Sequence, residues 1–247
     1  MRGKQAPVGP AVPVFEIVPA FEEETQPSPS PGPVAQAVLD GGSPQGGPLR
    51  LLAKRLRALG RDKRLRRIGV VGSSAGEGSS TVALGLAEAL ASDRRRRVLL
   101  LEVDLDRPAL DRALGLDPPE VGLREYLDGG GETPVVRRPS GAFWLLSAGA
   151  PSARRADPLS SPRLPALLSA ADRVFDWVVV DCPPLLETSS AAALGALVDG
   201  FILVVRSRHA PRETVRQAAG RLPPGQLVGL VLNGQRDILP RRAGREA

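Results

Sequence analysis

Three glycines, Gly72, Gly76 and Gly78, punctuate the stretch GSSAGEGSST just before a helical pattern begins at Ser80. Glycines let a chain turn tightly and approach a ligand closely, and the first amides of the following helix have no partner in the chain. Such a turn suits phosphate. The phosphate-loop pattern puts a lysine after its second glycine and then Ser or Thr, so that an ammonium reaches the terminal phosphates and a hydroxyl meets magnesium. Ser80 and Thr81 supply hydroxyls, but the residue after Gly78 is Ser79, and the nearest bases, Arg67 and Arg94, lie outside the turn. The turn is a phosphate loop with its charge removed.

Two further sets of acids follow apolar runs. Val98 to Leu101 leads into Glu102, Val103, Asp104, Leu105, Asp106 and Arg107, and Trp177 to Val180 stops at Asp181. Acids at the C-terminal end of a parallel strand sit at the sheet edge where ligands bind. Glu102 and Asp104 are therefore candidates to hold magnesium or to polarise an attacking group, and Asp181 to hold magnesium through water.

These groups need a scaffold that brings strand ends together. Ile68 to Val71 reads as a strand, Ser80 to about Asp93 as a helix with Val82, Leu86 and Leu90 on one face, and Val98 to Leu101 as the next strand. Parallel strands require a helical crossover of about this length. The rhythm continues through a short helix at Leu123 to Leu127 and a strand at Phe143 to Ser147. A helix at Leu164 to Val174 precedes the strand at Trp177. Beyond it lie a helix at Ser190 to Leu197, strands at Phe201 to Val205 and Leu227 to Leu232, and a helix near Glu213 to Ala219. Alternating strands and helices predict an α/β fold with a doubly wound, mainly parallel sheet covered on both faces.

The totals bound the rest. At 247 residues, 42% apolar, the chain is long enough for one sizeable domain. A single cysteine, Cys182, excludes an internal disulfide and argues against a zinc site. The sequence has no apolar run long enough to cross a bilayer and no signal-peptide core, so a cytoplasmic protein is expected. Residues 1–48, rich in Pro, Gly, Ser and acids, are expected to be disordered, with Phe15, Ile17, Val18 and Phe21 as one apolar island. Residues 236–247 read as a flexible basic tail. His209, the only histidine, has no second metal ligand nearby and reads as a surface residue.

Net charge is +6, and its distribution says more than its total. Arg50 to Arg67 carries nine bases against Asp62, a net of +8, which leaves the remainder slightly acidic. Leu49, Leu52, Leu56 and Leu59 recur at helical spacing opposite these bases, so residues 49–67 are expected to form an amphipathic basic helix, ended by Gly60, and a connector to the first strand. A basic face can meet anionic lipid, nucleic acid or an acidic partner, but equally serves as a solvated surface.

In order and spacing, GSSAGEGSSTVALGLAEALA, VLLLEVDLDRPAL, GLREYLDG, WLLSAG followed by ADPLSS, VVVDCPP, VDGFILVVR and LVGLVLNG resemble the bacterial capsular and exopolysaccharide tyrosine kinases. That family lies within the MinD/ParA set of phosphate-loop ATPases, and the resemblance runs from about Leu49 to Asn233. It implies a phosphate-loop domain over residues 68–235 that takes ATP or ADP with Mg2+ through Gly76, Glu77, Gly78, Ser79, Ser80 and Thr81. It further implies that Asn233 contacts adenine, that Ser80, Asp104 and Asp181 serve the metal, and that Glu102 and Asp104 serve catalysis. The family's partners are implied as well: a membrane-anchored polysaccharide chain-length regulator or export protein at the inner face of the membrane, and a ring of identical subunits whose tyrosine-rich tails are phosphorylated.

The departures fall on the chemistry. The loop lysine is Ser79, the first acid of the second motif is Glu102, and Asp106 stands where an arginine is expected. The lone tyrosine, Tyr126, is placed inside the domain, and RRAGREA at the end has none. The helix from Leu49 retains at best Arg50 of the family's ring-forming pattern of one Glu and two Arg. These departures point to a regulatory, kinase-like protein of polysaccharide synthesis whose nucleotide binding is weakened or lost. One alternative is an active kinase that recruits Arg107 or a partner's arginine. Another is a partitioning ATPase of the MinD/ParA kind, against which Ser74 and Ser79 occupy positions where that branch carries lysines. Nucleic acid is therefore not the expected partner.

Overall fold

The computed structural model describes residues 31–40, 42–63, 65–92, 96–119, 121–129, 136–137, 139, 142–150, 161–188 and 191–234. Most of the expected disordered extension, the C-terminal tail and the loop over 151–160 lie outside the described residues.

Six strands form one sheet: β1 (Arg67–Gly72), β2 (Val98–Glu102), β3 (Trp144–Leu146), β4 (Trp177–Asp181), β5 (Gly200–Arg206) and β6 (Leu227–Asn233). Their order across the sheet is β3-β2-β4-β1-β5-β6, and every pairing between them is parallel. All six C-terminal ends therefore share one edge.

Residues alternate between the two faces of a strand. On one face, Ile68, Val70, Leu100, Val179 and Ile202 pack with α1 (Pro33–Leu39), α2 (Gly46–Lys63), α3 (Ser79–Ala91) and α4 (Leu110–Leu114). On the other, Val71, Leu101, Val180 and Leu203 pack with α5 (Leu123–Leu127), α6 (Arg163–Val174), α7 (Ala191–Leu197) and α8 (Arg212–Arg221). Each fully buried Leu or Val contributes roughly 1.5–3 kcal/mol, so these two layers carry the stability of the domain. The sheet is the doubly wound arrangement that the motif order predicts.

Two local expectations need correction, and one helix had no counterpart in the sequence reading. The segment expected to be disordered through residue 48 contains α1, whose Ala35 and Val38 are buried against α3. A Cβ at Gly85 would lie 2.3 Å from Leu49 Cδ1 and 3.0 Å from Val38 Cβ, so α1 and α2 approach α3 where it has no side chain. Gly60 does not end α2, which continues to Lys63. It sits instead where a Cβ would press on Trp177 at 3.0 Å, a packing reason invisible to a local stop rule. Finally, α4 has no strong periodicity in sequence. Its start is held by the buried Glu102 carboxylate, which accepts the Ala109 and Leu110 amides at 2.6 and 2.9 Å.

Candidate functional site: the phosphate-loop edge of the sheet

The turn between β1 and α3 is built from its own side chains outward. Glu77 is buried, and its carboxylate accepts hydrogen bonds from the Ser73 amide at 2.6 Å and the Ser73 hydroxyl at 2.7 Å. That closes the turn on itself. Gly76 and Gly78 adopt left-handed backbone angles, φ +79° and +89°, which L side chains rarely take. Helix α3 opens at Ser79 with no side-chain cap, so its first amides face outward without a protein partner from a capping group. The loop after β4 clamps the turn from below through Leu185 N to Gly72 O at 3.0 Å and Leu186 N to Ser73 O at 3.1 Å.

Asn233, at the end of β6, donates from Nδ2 to the Glu77 carbonyl at 2.9 Å and accepts the Gly234 amide. Its amide thus braces the turn, alongside the adenine contact that the family resemblance implies for it. Ser79 and Ser80 occupy the first two positions of α3 and are half-buried.

The acids divide by surroundings. Asp181 is 1% exposed and neither of its oxygens has a hydrogen-bond partner of good geometry. Burial pushes its carboxyl well above the usual range, the adjacent Glu102 adds to the rise, and the Ser80 hydroxyl offsets part of it. An orphaned, buried carboxylate beside a helix-start hydroxyl fits a hydrated divalent cation, which would supply the compensating charge.

Glu102 pairs with Asp181 across the sheet but is itself satisfied, with the Ala148 amide at 3.1 Å completing its three backbone donors. Burial raises its carboxyl, and those bonds only partly oppose the rise. Its oxygens anchor α4 and the end of β3. Asp104 is more open, at 14% side-chain exposure, and accepts the Arg107 amide at 3.2 Å. Burial raises its carboxyl, and Arg107 only partly opposes the rise.

Sequence reading missed Glu187 and Arg206. Glu187 Oε1 accepts the Ala75 amide of the turn at 2.6 Å, and Oε2 pairs with Arg107 Nη1 at 2.6 Å. The Ala75 amide holds the Glu187 carboxyl below its usual range. Arg107 Nε also lies 3.9 Å from Asp104 Oδ2. Arg206, at the end of β5, donates to the Gly76 carbonyl at 3.4 Å. An acid six residues past Asp181, on a loop leaving the same sheet edge, was the available signal for Glu187.

Three bases of the block are tied to helix ends or to an acid. Arg57 donates to the Ala89 and Leu90 carbonyls at the end of α3. Arg66 donates to the Asp172 and Phe175 carbonyls at the end of α6, and Arg67 pairs with Asp172 at 2.5 Å. Cations at helix C-termini complement the dipole. Arg50, Lys54 and Arg55 remain exposed. Tyr126 is 2% exposed beneath the Arg163 guanidinium, 4.1 Å from the ring centre. Among the described residues, no helix is long and apolar enough to cross a membrane.

Comparison with known proteins places this geometry. No family model matches the chain. It is 30% identical over 179 residues to the tyrosine-protein kinase YwqD of Bacillus subtilis, covering 71% of this chain and 75% of that protein. It is 32% identical over 177 residues to the succinoglycan biosynthesis transport protein ExoP of Rhizobium meliloti, covering 68% of this chain but only 22% of ExoP. Among solved structures, the kinase domain of the Escherichia coli tyrosine kinase ETK superposes with a TM-score of 0.77 at 26% identity, covering 90% of this chain and 85% of that one. Cobyrinic acid a,c-diamide synthase from Mycobacterium smegmatis with bound ADP and magnesium superposes at 0.51 and 26% identity, covering 67% and 72%. With the turn, the acids at the strand ends and these likenesses in agreement, the chain belongs to the phosphate-loop family of bacterial tyrosine-protein kinases.

Proposed function

We propose that this chain is a regulatory, kinase-like protein of exopolysaccharide or capsule biosynthesis, which binds nucleotide weakly and transfers phosphate slowly or not at all. The observation that carries the reading is Ser79, an uncharged hydroxyl where α3 leaves the turn. Among the described residues, Arg107 is paired with Glu187 and Asp104, and Arg206 donates to the Gly76 carbonyl of the turn itself. Phosphoryl transfer depends mainly on preorganised positive charge, and losing one such group costs about 10³ in rate, roughly 4 kcal/mol.

The residues present fit a magnesium nucleotide in part. The amides from Gly76 to Thr81 would cradle phosphates, and Ser80, Asp181 and Asp104 would face the metal, whose charge would neutralise phosphate oxygens. Tyr126, the one tyrosine of this sequence, is buried, so an acceptor tyrosine would lie outside this sequence. The partner we assign is a membrane-anchored chain-length regulator or export protein at the inner face of the membrane, as the likeness to part of ExoP suggests, with self-assembly into a homo-oligomer as a further element of the reading.

The test is magnesium-dependent phosphate release together with phosphotyrosine detection on the purified chain. Background values are expected in both. Turnover at rates ordinary for a kinase of this family, abolished by Asp181→Ala, would overturn the reading. A second reading, an active kinase that uses Arg107 in place of the lysine, is favoured by the single carboxylate that separates Arg107 from the Ala75 amide. It requires that turnover vanish in Arg107→Gln and survive Ser79→Ala.

A further inference from the structure

We propose that Glu187 is a built-in competitor for the phosphate turn, and that nucleotide phosphates displace its carboxylate from the Ala75 amide and take over its partner, Arg107. The proposal rests on the reading of this turn as a nucleotide site and goes beyond it by assigning a residue that sets affinity.

A carboxylate and a phosphate oxygen ask for the same donors, backbone N–H groups and guanidinium forks. Glu187 takes one of each, both at 2.6 Å. The Ala75 amide belongs to the turn that carries Gly76 and Gly78, and Ala75 is exposed. Anything anionic that settles on this turn meets Glu187 as a like charge and as a rival for the amide.

The pair is placed to exchange. Side-chain exposure is 45% for Arg107 and 40% for Glu187, so the ion pair is screened and weak compared with a buried one. Glu77, which also accepts amides of the turn, is 5% exposed and belongs to the fold itself. The backbone around Glu187 is held independently, by Leu185 and Leu186 on Gly72 and Ser73 and by Arg221 Nη1 on the Leu185 carbonyl at 2.8 Å. Release of Glu187 therefore needs side-chain rotation and no loop rearrangement. Asp104, 3.9 Å from Arg107 Nε, keeps the guanidinium at the site once Glu187 has let go. Arg107 then supplies the cation that Ser79 does not.

The experiment is calorimetric titration of Mg-ADP into the full chain and its Glu187→Gln, Arg107→Gln and double variants, with thermal melts to confirm folding. Glu187→Gln is expected to bind about 1.5- to 5-fold tighter, the range that a single exposed ion pair is worth. Arg107→Gln is expected to bind more weakly than the unaltered chain, and the double variant to lose the increase in affinity. Glu187→Gln binding equally or more weakly, while the unaltered chain binds, overturns the proposal and leaves the nucleotide site standing. Arg107→Gln binding as tightly as the unaltered chain also overturns it. Absence of binding in all four overturns both.

Discussion

The side-chain amide of Asn233 donates to the carbonyl of Glu77 at 2.9 Å, so the last strand of the sheet holds the turn that follows the first. The hydrogen bond spans 156 residues of sequence and sets the Asn233 amide 2.1 Å from where a Cβ on Gly78 would stand.

Gly78→Ala should therefore fail twice, through its φ of +89° and through collision with Asn233. A loss of about 1–3 kcal/mol is expected, measured by urea unfolding. Asn233→Ala should cost about 0.5–1.5 kcal/mol, the net worth of one hydrogen bond. Adding Asn233→Ala should relieve the collision but not the φ strain, and so rescue Gly78→Ala only in part.

Ser79→Lys restores one positive charge at the start of α3. Mg-ADP should bind about tenfold tighter, as expected of one charge-assisted hydrogen bond to phosphate, and calorimetry would read it. Phosphate release should stay near background while Asp106 stands where the family resemblance implies an arginine.

Asp181 is buried without a hydrogen-bond partner of good geometry. Without magnesium, Asp181→Asn should stabilise the fold by about 1–3 kcal/mol by removing a carboxyl whose ionised form burial disfavours. The same variant should lose any rise in Tm that magnesium and nucleotide together give the unaltered chain. Thermal melts with and without Mg-ADP check both parts.

Glu187 supplies a pH dependence with a definite sign. Its native carboxyl titrates below the ordinary glutamate value of 4.5, so the ionised form favours the folded state. That contribution is complete above the ordinary value and disappears as pH falls through the lowered native one. Because the group is well exposed, the effect should be small and should shrink with salt. Glu187→Gln should flatten this part of the acid limb in a stability profile, and an unchanged profile would contradict the assignment.

The sequence by itself determined the six strands, most of the helices between them, the doubly wound class, the motif edge and the missing cation at Ser79, because each is written in local periodicity or in neighbouring residues; α1 and α4 were not legible. The helix at Leu123–Leu127 was legible to the residue, and all six strands to within about one or two residues at each end, within the usual uncertainty of element boundaries. Only the tertiary structure decided what the charged groups do. Glu102 is spent on three amides, two at the start of α4 and one from beyond β3, and Arg57, Arg66 and Arg67 are spent on helix ends or on Asp172. Gly60 sits inside a helix, where a Cβ would press on Trp177, and Glu187 reaches Ala75 across 112 residues. Periodicity reports which face of an element is apolar. Partners so distant along the chain leave no periodic trace, and become neighbours only when the parallel sheet gathers every strand end on one edge.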